Sequence, residues 1–276
     1  MLFVIFAIIT YYCYYMESLT TILCELKDLG AVGIKNSFED EGALMNEVMT
    51  MRSLTHSVGL ELALKIGGCE AKRDIVDAIN LNVDAIVAPM VESGFSLKKF
   101  IDSVGGYNIG NIKIGFNLET ITSYLALNEF KPYFEHIDFV TFGRVDFIGS
   151  YDKERSYVES LDMREKIENV FKLAKESKIK CYLGGAMSVD SFSLVKYLKE
   201  QQLLDRIETR YIIFDVSKID MTQFDYIMYL ANVFEVKWLN YIKSRYESYA
   251  LKDANRIIMI QKRLDANPVN KNKEHV

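Results

Sequence analysis

Glu119 closes the apolar run NIKIGFNLE (111–119), and strand alternation would put Gly115, Asn117 and Glu119 on one side of it. A carboxylate there costs several kcal/mol if it is buried without a partner. Asp146 follows the next apolar run, IDFVTFGRVD, in the same kind of place. Neighbouring strands lie about 4.8 Å apart, so carboxylates at adjacent strand mouths can share one divalent cation. Two hard oxygen donors, completed by water and substrate, suit Mg²⁺ or Mn²⁺ rather than zinc. The competing reading is that each acid caps a helix N-terminus, where anions are also favoured. Lys65, in ELALKIG, shares a face with Ala63 and Gly67. As an ammonium it would bind a substrate carboxylate, and as a desolvated amine it would form a Schiff base. In a structural role it would pair with Glu92 or Glu70.

These residues need elements to hold them. Apolar runs start near Gly30, Glu61, Asp84, Asn111, Ile137, Lys178 and Arg210, at separations of 23 to 41 residues, enough for a strand and a crossover helix. Most runs are continuously apolar, as expected of strands covered on both faces. Helical patterns fill the gaps: 71–81 with Ile75, Ala78 and Ile79 on one face, 162–178 with Ile167, Val170, Phe171 and Ala174, and 188–198 behind a Ser188 cap. The predicted fold class is α/β, a TIM (β/α)8 barrel with extra C-terminal helices, with a doubly wound open sheet as the alternative. Against the alternative, no G-x-G-x-x-G follows the first strand, and Gly105-Gly106 is simply a loop. A barrel carries its chemistry at the strand carboxyl ends. There the sequence places Lys35 with Glu39 and Glu41, Lys65 with Gly67, Gly68 and Glu70, Glu92, Glu119, Arg144 with Asp146, Gly184-Gly185, and Asp215.

Seven runs leave a barrel one strand short. The apolar opening segment MLFVIFAIITYYCYY has three open readings: a closing barrel strand, sequence upstream of a start at Met16, or a membrane anchor. It has no basic flank or small-residue cleavage site for a signal peptide and falls short of about 20 apolar residues for a span. Residues 221–264 are one or two long helices whose Phe224, Ile227, Met228, Phe234, Trp238, Tyr241 and Ile242 would cover the barrel or face another subunit. Residues 265–276 are expected as a solvated tail that takes His275 out of the chemistry. With no linker between them, residues 1–276 are expected to form a single barrel domain.

The net charge of −5 and pI near 5.4 speak against nucleic-acid partners and anionic membrane surfaces. Cys13, Cys24, Cys69 and Cys181 form no C-x-x-C pair and suit reduced thiols of a cytoplasmic protein. His56, His136 and His275 are not at metal-ligand spacing.

The order of these segments resembles the HpcH/HpaI aldolase and citrate lyase β-subunit family, with its pyruvate-kinase-like barrel. The similarity runs from about Gly30 to Gly149 and more weakly to Val216. It is strongest in VDAIVAPMVES (83–93), IGFNLETITSYLAL (114–127) and IDFVTFGRVDFIGS (137–150). The resemblance implies that Glu119 and Asp146 hold Mg²⁺ or Mn²⁺ and that the ion chelates a pyruvate-like 2-oxo acid or a related acyl-CoA. It implies a carbon–carbon lyase or aldolase acting through an enolate, and a homo-oligomer joined by C-terminal helices. Gly67, Gly68 and Gly143 would let backbone N–H groups approach the substrate. Two departures stand out. Lys65 occupies the place of a substrate-gripping Arg, so that Arg144 would take over the carboxylate. The segment KNSFEDEG has Glu39 and Glu41 but no His, which leaves Glu39, Glu41, Glu70 or Lys65 to do the acid–base work. Two other functions remain open, a Schiff-base aldolase using Lys65 and a non-catalytic barrel that binds a small acid or a protein.

Overall fold

The computed structural model describes residues 2–267, with side chains from residue 15 onward. Eight strands close into one barrel in chain order: β1 Ala31–Ser37, β2 Glu61–Lys65, β3 Ala85–Ala88, β4 Lys113–Leu118, β5 Phe139–Gly143, β6 Lys180–Gly184, β7 Arg206–Glu208 and β8 Ile212–Asp215. The helices are α1 Leu2–Asp28, α2 Met45–Val58, α3 Lys72–Asn80, α4 Gly94–Gly105, α5 Ile121–Leu125, α6 Leu127–Phe130, α7 Arg144–Ser150, α8 Leu161–Glu176, α9 Phe192–Glu200 and α10 Phe224–Asp265. Residues up to Glu235 form one compact unit, and those from Val236 onward form a second.

The expected α/β barrel is present, but its closure differs from the expectation. Strands β1 to β7 are parallel, whereas β8 runs antiparallel to both β7 and β1. The opening apolar segment is not a strand. It is the first half of α1, whose buried Leu19, Ile22, Leu23 and Leu26 recur at helical spacing. The missing strand is β7, three residues with one apolar side chain among them, joined to β8 by a tight turn in which the Thr209 N–H donates to the Ile212 carbonyl at 2.9 Å. Among the described residues no helix is long and apolar enough to cross a membrane. Residues 268–276, and with them His275, lie outside the described residues.

Alternation along the strands builds the interior. Ala63, Ala85, Val87, Phe139, Tyr182 and Ile213 pack together inside, with the rings of Phe139 and Tyr182 stacked at 4.5 Å. Gly115 is bare because a Cβ there would stand 2.4 Å from the Phe139 ring. On the outer layer, α8 buries Ile167, Val170, Phe171 and Ala174 on one stripe as its periodicity predicts. Each large aliphatic buried this way contributes about 1.5–3 kcal/mol.

The face at the parallel strands' amino ends is locked by charge. Glu61, at the start of β2, pairs with Arg206 of β7 at 2.6 Å and Lys113 of β4 at 3.0 Å. Burial alone would push the Glu61 carboxyl up, but these two cations hold it below its ordinary range. A second device repeats around the same face. The aspartate just before one strand accepts the backbone N–H of the second residue of the preceding strand: Asp84 from Leu62 at 2.8 Å, Asp138 from Ile114 at 2.7 Å, and Asp205 from Cys181 at 2.7 Å.

Candidate active site

At the opposite face the strand carboxyl ends surround a cavity of about 390 Å³. Its lining includes the side chains of Lys35 (β1), Lys65 (β2), Asn117 and Glu119 (β4), Thr141 (β5), Asp146 (α7) and Glu208 (β7). Alternation along β4 places Asn117 and Glu119 together in it, as the sequence predicts.

Glu119 is buried, and its carboxylate accepts from the Met90 N–H at 2.9 Å and from Asn117 Nδ2 at 2.9 Å. Met90 takes a left-handed backbone, φ 50°, to aim that N–H, strain of a kind that collects at functional sites. Gly143 makes room for the same carboxylate, since a Cβ at that position would meet Glu119 Oε2 at 2.7 Å. Burial pushes the Glu119 carboxyl up. The Met90 N–H and Lys65 oppose this, and the negative charge of Asp146 reinforces it. Asp146 is also raised by burial, against the pull of Lys65. The two carboxylates therefore share one partly desolvated space and repel each other.

Lys65 makes an ion pair with Glu39 at 2.7 Å, not with Glu70 or Glu92. Burial would lower its pKa, but the Glu39 and Glu119 carboxylates more than compensate and hold it above the ordinary lysine range. Such a lysine is a firm ammonium. Glu41 lines the cavity, pairs with Arg210 Nε at 3.3 Å and is raised chiefly by burial, and its buried Oε2 has no hydrogen-bond partner.

Four expectations are corrected by the geometry. Arg144 is fully buried and faces away from the cavity, held by Glu159 at 2.7 Å, Ser191 Oγ at 3.1 Å and the Gly185 carbonyl at 2.9 Å. Glu70 lies outside the lining and pairs with Lys99 at 2.8 Å. Gly67 and Gly68 are outside it too, and the Gly67 N–H is committed to Asp74 at 2.7 Å. Asp215 ends the reversed strand at the opposite face, where it is the register partner of Arg206.

Sequence reasoning missed Asp40, Arg155, Glu208, Arg210 and Glu235, all of which line the cavity. Glu208 and Arg210 sit in the tripeptide ETR at the β7–β8 turn, too short for a periodic signal. Arg155 lies in the 3₁₀ turn Arg155–Glu159, where no apolar pattern marks it.

No family model matches this chain, and no curated protein matches it. Solved structures do. An HpcH/HpaI aldolase/citrate lyase family protein from Burkholderia cenocepacia J2315 superposes with TM-score 0.55 at 11% identity, over 80% of this chain and 84% of that one. An HpcH/HpaI aldolase from Desulfitobacterium hafniense DCB-2 gives 0.53 at 11%, over 63% and 75%. The citrate synthase SbnG gives 0.53 at 10%, over 80% and 83%. At such identities the likeness is one of architecture, and the chain shares its barrel fold with these structures.

Proposed function

We propose that the protein is a divalent-metal-dependent carbon–carbon lyase or aldolase of the HpcH/HpaI kind, acting on a pyruvate-like 2-oxo acid or a related acyl-CoA through an enolate. The observation that carries the reading is the Glu119–Asp146 pair, two repelling carboxylates in one cavity with a glycine cradle beneath one of them. The donor set fits a hard cation. Both acids are raised by burial, and bound charge would relieve that cost. Each Glu119 oxygen accepts one hydrogen bond and keeps a further lone pair. With only two protein carboxylates, the remaining positions fall to water and substrate, which suits Mg²⁺ or Mn²⁺. When bound, such an ion polarises the keto oxygen and stabilises the negative charge that develops during cleavage.

The chain's own residues do the rest. Lys65, protonated and braced by Glu39, offers its ammonium to the substrate carboxylate. This favours the metal-assisted route over a Schiff base, which needs a neutral amine. Arg155 lines the cavity with no ion pair among the described residues and replaces Arg144 as the arginine available to an anionic group. Asn117 and the Met90 N–H hold Glu119 in one orientation.

The reading is tested by calorimetry with Mn²⁺ and by turnover of a 2-oxo-acid panel. Glu119→Gln and Asp146→Asn are each expected to abolish Mn²⁺ binding and to cut turnover by about 10³-fold or more while leaving the melting transition cooperative. Full turnover in Glu119→Gln refutes the assignment. Mn²⁺ binding without turnover on the whole panel points instead to a barrel that binds a small acid.

The protein is further proposed to form a homo-oligomer through its C-terminal helix, on which Leu251, Ile257, Ile258 and Leu264 are exposed. A reducing compartment such as the cytoplasm suits the free thiols of Cys24, Cys69 and Cys181.

A further inference from the structure

We propose that Glu208, paired with Lys35, is the acid–base residue of this site; the proposal rests on the lyase reading above. Neither residue belongs to the carboxylate pair or to the acids considered from sequence. Glu208 rises from β7, is 3% exposed, and makes an ion pair with Lys35 Nζ at 3.1 Å.

The sheet register fixes where Glu208 stands relative to Glu119. Gly143 of β5 and Gly184 of β6 are direct partners in the ladder, so their Cα atoms are about 5 Å apart. Glu119 leans over Gly143 from β4, with its Oε2 2.7 Å from where a Cβ would be. Glu208 leans over Gly184 from β7, with its Oε2 3.5 Å from the corresponding point. Two carboxylates thus reach from the flanking strands over two adjacent residues that have no side chain. The strip between them is open to the cavity and suits a small substrate held at Glu119. Thr141 of β5 forms the floor of that strip: its hydroxyl donates to Glu208 Oε1 at 3.4 Å from the Glu119 side, and its methyl lies 3.5 Å from where a Gly184 Cβ would be.

In the cleavage direction a 4-hydroxy-2-oxo acid gives up its C4 hydroxyl proton to Glu208 as the C3–C4 bond breaks. The O–H electron pair becomes the carbonyl of the departing aldehyde, and the C3–C4 pair becomes the enolate. Glu208 then returns the proton to C3, giving pyruvate and an ionised carboxylate again. Lys35, 3.1 Å away, is the partner to which the regenerated carboxylate returns.

The test is exchange of the pyruvate methyl protons for deuterium in D₂O by the Mg²⁺-loaded full-length protein, followed by NMR. Mn²⁺ affinity is measured separately by calorimetry. Glu208→Gln is expected to slow exchange by about 10²-fold or more with Mn²⁺ affinity unchanged within about 3-fold. Glu208→Ala should regain exchange when formate is added, a rescue that a merely structural ion pair would not show. Should Glu208→Gln fold poorly because Lys35 is left unpaired, the Lys35→Gln/Glu208→Gln double variant removes both charges and should show the same slowing. Exchange at the parent rate in either variant overturns the proposal, as does Glu208→Ala that ignores formate. A parent protein that binds Mn²⁺ but exchanges nothing overturns the lyase reading and this one together. A parent that exchanges without binding Mn²⁺ overturns the metal assignment and leaves Glu208 standing.

Discussion

Arg144 and Asp146 are two residues apart and face opposite ways. The resemblance offered Arg144, in GRVD just before Asp146, as a substrate grip, and on a strand two residues that far apart would share a side. The chain has already turned into α7 at this point, where two residues subtend about 200°. With Asp146 on the cavity, Arg144 must point into the protein, and it is spent on Glu159, Ser191 and the Gly185 carbonyl. Glu41 shows the opposite situation, a carboxyl held in the cavity at a cost. Burial raises its pKa despite Lys35 and Arg210. The folded protein therefore binds more protons than the unfolded chain above the ordinary glutamate range, and stability falls as pH rises through that window. Glu41→Gln removes the penalty while leaving Arg210 its pairing with Asp40 at 3.1 Å. Its melting temperature at pH 7 should exceed the parent's by about 2–4 °C, and the gain should vanish below about pH 4. Calorimetric scans across pH check both points. Glu119 and Lys65 were legible because strand alternation sets their direction, whereas Asp146 reaches the cavity from the first turn of α7 and was legible only from its place after the β5 run. Glu70 and Gly67 were not, because they lie past the end of β2 in a turn whose path Asp74 decides.

Elements were legible in proportion to their length. The runs at β1 to β6 and the stripe of α8 announce themselves, whereas β7 has one buried isoleucine between two charged residues. A strand that short is made by its neighbours, with β6 on one side and the returning β8 on the other. The opening segment misled for the opposite reason. Its β-branched and aromatic residues favour a strand on propensity, but the helix stripe that continues it through Leu26 prevails. The strand-start aspartates give this level its test. Asp138 satisfies the Ile114 N–H where β4 begins, and that donor would be left without its partner in Asp138→Ala. A loss of about 1–3 kcal/mol is expected, read from urea unfolding, with the unfolding slope unchanged.

At the scale of the molecule, the acidity of the chain is concentrated where the chemistry is proposed. The cavity lining carries Asp40, Glu41, Glu119, Asp146, Glu208 and Glu235 against Lys35, Lys65, Arg155 and Arg210, a balance that favours the uptake of a cation. The exposed isoleucines of α10 set the test of assembly. Light scattering should give a multiple of the 31.8 kDa chain mass, and Ile257→Glu/Ile258→Glu should shift it toward that single-chain value. The reversal of β8 has its own consequence. Because the last strand runs back across the barrel, α10 begins at the far side and climbs; the twelve residues from Phe224 to Glu235 rise about 17 Å. That climb delivers Asn232 and Glu235 to the cavity's lip on a rigid helix instead of a pliable loop. A lip built this way resists being reshaped by insertions, so descendants of this barrel would change their preferred substrate there one side chain at a time.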